Sequence, residues 1–181
     1  MAIAADITAG TWTIDNSHSE VGFSVRHAGI SKVRGRFSDV EGTLVVGEDV
    51  ADSTLEAVVQ IDSVDTGDAN RDGHLKGEDF FDAEKFPTMT FAGRDLKGSG
   101  SEFTLVGDLT IRGNTQPIEL DVEFHGTAVD PFGTTRAGFE ATAVISRKEF
   151  GLTWNAALEA GGVLVGDKVT IVLDLSFVKA D

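Results

Sequence analysis

The sequence predicts an all-β fold, a mostly antiparallel up-and-down barrel with one or two short helices at its mouth. Three observations predict it. Apolar residues recur with a period of two along the chain, several of these runs are longer than a small sandwich uses, and turn-forming residues separate neighbouring runs.

The cleanest run is Ile118, Leu120, Val122 and Phe124, alternating with Glu119, Asp121 and Glu123, so that one face is dry and the other acidic. Val21, Phe23 and Val25 alternate with Gly22, Ser24 and Arg26. Leu55, Ala57, Val59 and Ile61 form a third stripe, Phe103, Leu105, Leu109 and Ile111 a fourth, and Ile171, Leu173, Leu175 and Phe177 a fifth. Turn signals fall at 47–52, Lys97-Gly98-Ser99-Gly100, Arg112-Gly113-Asn114 and Asp130-Pro131-Phe132-Gly133. Eight or nine strands are expected, at 11–16, 18–27, 34–46, 53–62, 87–96, 102–112, 117–129, 135–147 and 167–179. Long strands joined by short hairpins favour closure, which removes exposed edges.

Three segments break the pattern. Residues 27–33 read as a short Gly-containing connector with room for one helical turn. Residues 64–87 open with Asp65, Thr66 and Asp68 as candidate N-caps, and Gly77 is placed to end a short helix. Phe80, Phe81 and Phe86 then add apolar weight before Pro87, which suits a lid across one mouth of the barrel. Residues 146–166 are a second long, Gly-rich connection.

A length of 181 residues fits one domain over 1–181, with 1–10 a short N-terminal arm. The chain has 12 Phe, 2 Trp and no Tyr. Phe lines a wall without a polar atom, so this interior suits a dry core or a greasy pocket. The net charge of −15 works against general binding to nucleic acid or to an anionic membrane surface. With no Cys, disulfides, thiolate nucleophiles and Cys-ligated metals are excluded. Residues 1–10 hold neither a basic residue nor a long apolar run, and no stretch approaches a membrane-spanning helix, so the expected location is cytoplasmic.

Asp68, Asn70, Asp72, Gly73, Leu75 and Asp79 match the ligand, glycine and apolar positions of a calcium loop. The context fails, because the preceding residues 58–64 are strand-like and Gly67 stands directly before the first ligand. Four histidines are present, His18, His27, His74 and His125, none spaced as a helical zinc pair. Alternation places His27 inward near a strand end and His125 on the wet face. There is no nucleophile elbow, phosphate loop or dinucleotide fingerprint, and no metal or cofactor is expected.

Five blocks carry a resemblance. They are Trp12, Asp15, His18-Ser19, Val21, Phe23, Val25 and His27; Gly35, Phe37 and Gly42; Asn70-Arg71-Asp72, His74-Leu75-Lys76, Asp79-Phe80-Phe81-Asp82, Phe86-Pro87 and Phe91; Gly107, Leu109-Thr110-Ile111 and Gly113; and Arg136, Gly138-Phe139, Arg147, Phe150-Gly151 and Val165-Gly166-Asp167. In this order the chain resembles the YceI-like family, the bacterial lipocalin-like polyisoprenoid-binding proteins, over about residues 11–179. Gly77 departs from the Ser of many relatives. Many relatives are also exported, which sets the expected location against theirs.

The resemblance implies an extended eight-stranded antiparallel barrel, an apolar cavity holding a long isoprenoid or similar lipid, and frequently a homodimer. The wall residues then expected are Phe23, Val25, Phe37, Val59, Phe91, Leu109, Leu120, Val122, Phe139 and Leu173. His18, His27, Asn70, Asp72, His74 and Arg147 are candidates for the polar end. The expected role is binding for transport, storage or sensing, not catalysis. A ligand-free structural or stress-associated barrel and a lipid-modifying enzyme are the alternatives.

Overall fold

The structure, a computed structural model, describes residues 7–49, 52–159 and 161–180. Most of the expected N-terminal arm, and Val50 and Ala51 of the expected turn at 47–52, lie outside the described residues.

The strands are β1 (Gly10–Ile14), β2 (Glu20–His27), β3 (Ser31–Phe37), β4 (Val40–Val46), β5 (Thr54–Gln60), β6 (Val64–Asp65), β7 (Thr88–Ser99), β8 (Glu102–Ile111), β9 (Asn114–Val129), β10 (Thr135–Ser146) and β11 (Val165–Lys179), with one α-helix, α1 (Ala69–Lys76), between β6 and β7. The sheet closes: the ring runs β1-β4-β5-β7-β8-β9-β10-β11, and β11 pairs back with β1. All pairings of this eight-stranded barrel are antiparallel. β2 and β3 continue β1 and β4 upward, β2 pairing with the upper half of β11 and with β3. Each of these two long strands is therefore broken once. Asn16–His18 form a 3-10 turn between β1 and β2, and Ser38-Asp39 separate β3 from β4.

Two expectations are corrected here. The strand expected over 34–46 begins at Ser31 and is split. Phe37 and Val40 are both buried at 4% exposure. They are three positions apart, so no unbroken period-two strand can turn both inward. The connector expected at 27–33 contains no helical turn and shrinks to a three-residue hairpin turn. Ala28 and Gly29 take the left-handed conformation, with φ of 54° and 72°, which matches the twist of the flanking strands.

Alternation accounts for the core. In β8, Phe103, Leu105, Gly107, Leu109 and Ile111 are buried while the residues alternating with them are not. The lower end is filled by Trp12, Val46, Phe103, Phe124, Ala137 and Phe177, and Trp12 is fully buried. The upper end is covered by 61–87 and by the connection after β10. Because β5 ends at Gln60, β3 has on the side away from β2 only β6, paired at Arg36 and Phe37. The stretch 61–87 fills that gap. Asp68 caps α1 by accepting from the Asn70 and Arg71 amides at 2.9 and 3.1 Å, and Gly77 ends the helix. Leu75 and Phe81 turn down onto the barrel interior, with Phe81 edge-on to Phe37 at 5.8 Å.

Candidate functional site

An elongated cavity of about 370 Å³ runs inside the barrel between the lower plug and the α1 lid. That volume falls within the range of small-molecule pockets. All ten residues expected in the wall line it: Phe23, Val25, Phe37, Val59, Phe91, Leu109, Leu120, Val122, Phe139 and Leu173. No Asp or Glu lines it among the described residues. Its charged or ionisable lining is confined to the upper end, where Arg26 and His27 end β2, Arg71 and His74 sit on α1, and Arg147 follows β10; the remaining polar lining is neutral, chiefly Ser53, Thr54 and Thr90.

The cavity stays open because two large rings lie back against glycines. Phe23 is directly across from Gly35 in the β2–β3 ladder. A Cβ at Gly35 would lie 2.8 Å from Phe23 Cε1, and one at Gly107 would lie 2.7 Å from Phe91 Cε1. Each ring occupies the space a neighbouring side chain would take, and so does not cross the lumen.

The six polar-end candidates divide. His27, His74 and Arg147 line the cavity. His74 Nε2 donates to the Asp79 carboxylate at 2.9 Å and its ring stands edge-on to Trp154 at 4.7 Å. Arg147 is 4% exposed. Its guanidinium donates to the carbonyls of Gly166, Leu152, Trp154 and Val165, and burial pushes its pKa down against the pull of Asp167. It therefore fastens the connection after β10 onto the top of β11.

His18, Asn70 and Asp72 are not part of the lining. His18 is exposed in the Asn16–His18 turn, bonded through Nδ1 to Asp15 at 2.8 Å. It stands nine residues below His27, about 30 Å at 3.3 Å per residue. Asn70 is exposed on α1. The Asp72 carboxylate accepts from the Thr66 amide and hydroxyl at 2.9 and 2.6 Å. The calcium-like spacing thus falls on a capped helix, whose Asp68 and Asp72 point to different backbone partners and do not converge. Arg26, Arg71 and Trp154 complete the upper lining and were not among the expected residues. Trp154 lies in a stretch with no periodicity to announce it.

Outside the barrel, Glu123, His125 and Glu140 bring ligand-type atoms within 4.8 Å of one another, all three exposed on the outer face of β9 and β10. His125 is on the wet face as alternation predicts, 3.3 Å from Glu140. No described helix is long and apolar enough to cross a membrane.

A closed eight-stranded up-and-down barrel around an apolar cavity, with ionisable groups gathered at one mouth, defines the class of lipocalin-like barrels. Within that class, the YceI-like domain model matches residues 12–177, and the chain belongs to the YceI-like family. A UPF0312 protein of Staphylococcus aureus is 38% identical over 170 residues, covering 92% of this chain and 96% of the relative. The crystal structure of a Campylobacter jejuni YCEI protein superposes with a TM-score of 0.72 at 30% identity, over 92% of this chain and 96% of that one. A polyisoprenoid binding domain from Saccharophagus degradans shares the fold, with a TM-score of 0.73 at 14% identity over 96% of this chain and 100% of its own.

Proposed function

We propose that the barrel binds a long-chain isoprenoid or a similar amphiphilic lipid, for its transport, storage or sensing. The observation that carries this reading is the cavity lining: apolar from the floor upward, free of carboxylates among the described residues, and charged only at the upper mouth. Five carbons at about 0.8 kcal/mol per buried CH₂ place roughly 3–4 kcal/mol on each isoprene unit leaving water. A few buried units therefore reach nanomolar-scale affinity before ordering costs. A slim chain suits the interior of an eight-stranded barrel better than a broad ring system. The Saccharophagus degradans domain, described as polyisoprenoid binding, supports the same ligand class.

We read the protein as a binder and not as an enzyme. Arg147 spends its donors on backbone carbonyls. His74 pairs with an exposed Asp79, and among the described residues no hydroxyl is hydrogen-bonded to its ring. The test is mass spectrometry of the organic extract of protein purified without detergent, beside Ala57→Phe. Ala57 lines the cavity and faces Phe91 across the β5–β7 ladder. A long-chain lipid in the wild type that is depleted in the variant supports the reading. An empty extract from a folded wild type favours a barrel with no ligand of its own.

A further inference from the structure

The net charge of −15 is distributed unevenly. Residues 21–38 hold four of the 15 Lys and Arg and none of the 30 Asp and Glu. The β2–β3 ladder places Lys32, Arg34 and Arg36 on one outer face, Arg34 across from Ser24 and Arg36 across from Gly22, with Arg26, across from Lys32, at the rim where it also borders the cavity mouth. β11 adds the exposed Lys168 beside them, one step above the Val25–Val169 pair. Arg36 has a long contact with Asp65 at 4.0 Å. Arg26, Lys32 and Arg34 have no ion-pair partner among the described residues. Glu20 and Asp174 stand at the lower end of the strands, and Asp167, beside Lys168 at the upper end, is taken up by the Ser146 hydroxyl and the Lys148 amide.

The tip of the same hairpin is apolar and bare. Ile30 is 86% exposed. The Ala28 amide donates to the Leu164 carbonyl at 2.6 Å, which ties the turn to the loop carrying Val163, itself 52% exposed. That loop contributes one acid, Glu159. The inner face of the hairpin, through Val25, His27 and Val33, is part of the cavity wall at its upper mouth.

We propose that the β2–β3 hairpin is a docking element for an anionic lipid bilayer, holding the cavity mouth against the membrane. Cations attract acidic headgroups and a bare aliphatic tip enters the interface, the combination that holds peripheral proteins on membranes. The acidic remainder of the surface repels any polyanion alike, so only this face can dock; what favours a bilayer is Ile30, to which a nucleic acid offers no apolar medium. The placement beside the mouth draws its meaning from the lipid reading above; the cations and the bare tip stand without it.

The test is co-sedimentation of the purified protein with vesicles of phosphatidylcholine plus phosphatidylglycerol, against phosphatidylcholine alone. Binding is expected only with the acidic lipid and weakens as salt rises. Lys32→Glu with Arg34→Glu is expected to weaken it about tenfold or more, and Ile30→Ser to weaken it with the salt dependence kept. Phe132→Ser, at the opposite end and 91% exposed in the wild type, leaves it unchanged. Circular dichroism and thermal melts show that each variant is folded. Absence of binding to the acidic vesicles, equal binding by the charge-reversed variant, or loss with Phe132→Ser overturns the proposal. Retention on inorganic polyphosphate in the presence of excess vesicles also overturns it, in favour of an acidic polymer. An empty organic extract together with hairpin-dependent vesicle binding removes the cavity reading and leaves this one standing.

Discussion

The ring of Phe23 lies in the space that a side chain at Gly35 would fill, directly across the β2–β3 ladder. The same ring is 5.6 Å from that of Phe37 and tilted by 40° to it. The two phenylalanines therefore pave the wall, and a glycine makes that possible. On the opposite wall Phe91 does the same over Gly107. In a barrel this narrow, one large ring turned inward is enough to occupy the lumen.

Gly35→Ala is accordingly expected to close the cavity. Gly35 is absent from the positive-φ positions, so alanine suits the backbone there and by entropy alone would stabilise by about 0.4–1 kcal/mol. The 2.8 Å approach to Phe23 Cε1 reverses the sign, because overpacking costs about 1–3 kcal/mol. Relief comes from swinging Phe23 into the lumen together with a shift of the Thr66 methyl, whose carbon would also lie 2.8 Å from the new Cβ. Lipid content and urea midpoint should both fall, and Gly35→Ala with Phe23→Leu should restore most of each. A single variant that keeps its full lipid load would show that the ring had another way out.

The two tryptophans report on different ends. Trp12 is fully buried in the lower plug, its Nε1 donating to the Thr8 carbonyl at 3.1 Å. Trp154 lines the upper cavity against His74 and Phe80. Lipid loading of delipidated protein should shift the emission spectrum in the wild type and in Trp12→Phe but not in Trp154→Phe. A shift that survives loss of Trp154 would place the ligand elsewhere.

The strands and the wall were legible in the sequence because one rule serves for both. In a single closed sheet every inward position of an alternating run faces the lumen, so choosing Phe23, Leu120 or Leu173 by phase is choosing a lining residue. The break between Phe37 and Val40 was also written there, as an odd spacing between two large apolar residues. The polar end was harder to read. His18 and His27 are nine positions apart, an odd spacing that already puts them on opposite faces of a continuous strand, and the Asn16–His18 turn, fixed by Asp15, then sets His18 apart from the β2 wall altogether. Arg147 takes its partners from residues 152–166, and no local pattern forecasts four converging carbonyls. Register is the other hidden quantity. Alternation says which face a residue takes but not what stands beside it.

Register exposes an unfavourable row. Glu102 pairs with Glu123, Glu123 with Glu140, Glu140 with Asp174, and Asp174 with Glu20. Five exposed carboxylates thus stand side by side across β8, β9, β10, β11 and β2. Like charges directly opposite are destabilising, and opposite charges contribute about 0.2–1 kcal/mol per pair. Glu123→Lys converts two repulsive pairs into attractive ones. It should stabilise the barrel by about 1 kcal/mol at low salt, and by less at 1 M salt, where the Debye length is about 3 Å. Urea denaturation at both ionic strengths is the measurement; an unchanged or lower midpoint at low salt would contradict the repulsion.

The lower end should make the barrel acid-sensitive through Arg136. Its Nη1 donates to Asp15 at 2.7 Å and its Nε to Asp130 at 2.9 Å, tying the start of β10 to the corner between β1 and β2. These bonds hold the Asp15 carboxyl well below the usual carboxylate range, helped by the Ser17 hydroxyl, and Arg136 likewise lowers that of Asp130. A carboxylate with a depressed folded-state pKa contributes stability above its unfolded value, about 3.9, and loses it as pH falls through the folded value. The wild type should therefore hold this contribution down to about pH 4 and lose it progressively below. Arg136→Met removes the shared partner, so the variant should be less stable at pH 7, and its gap from the wild type should narrow once both carboxylates are protonated. Urea midpoints across pH 7 to pH 2 follow both curves. A gap that stays constant to the acid end would mean that Arg136 stabilises the corner by packing its stem and not by charge.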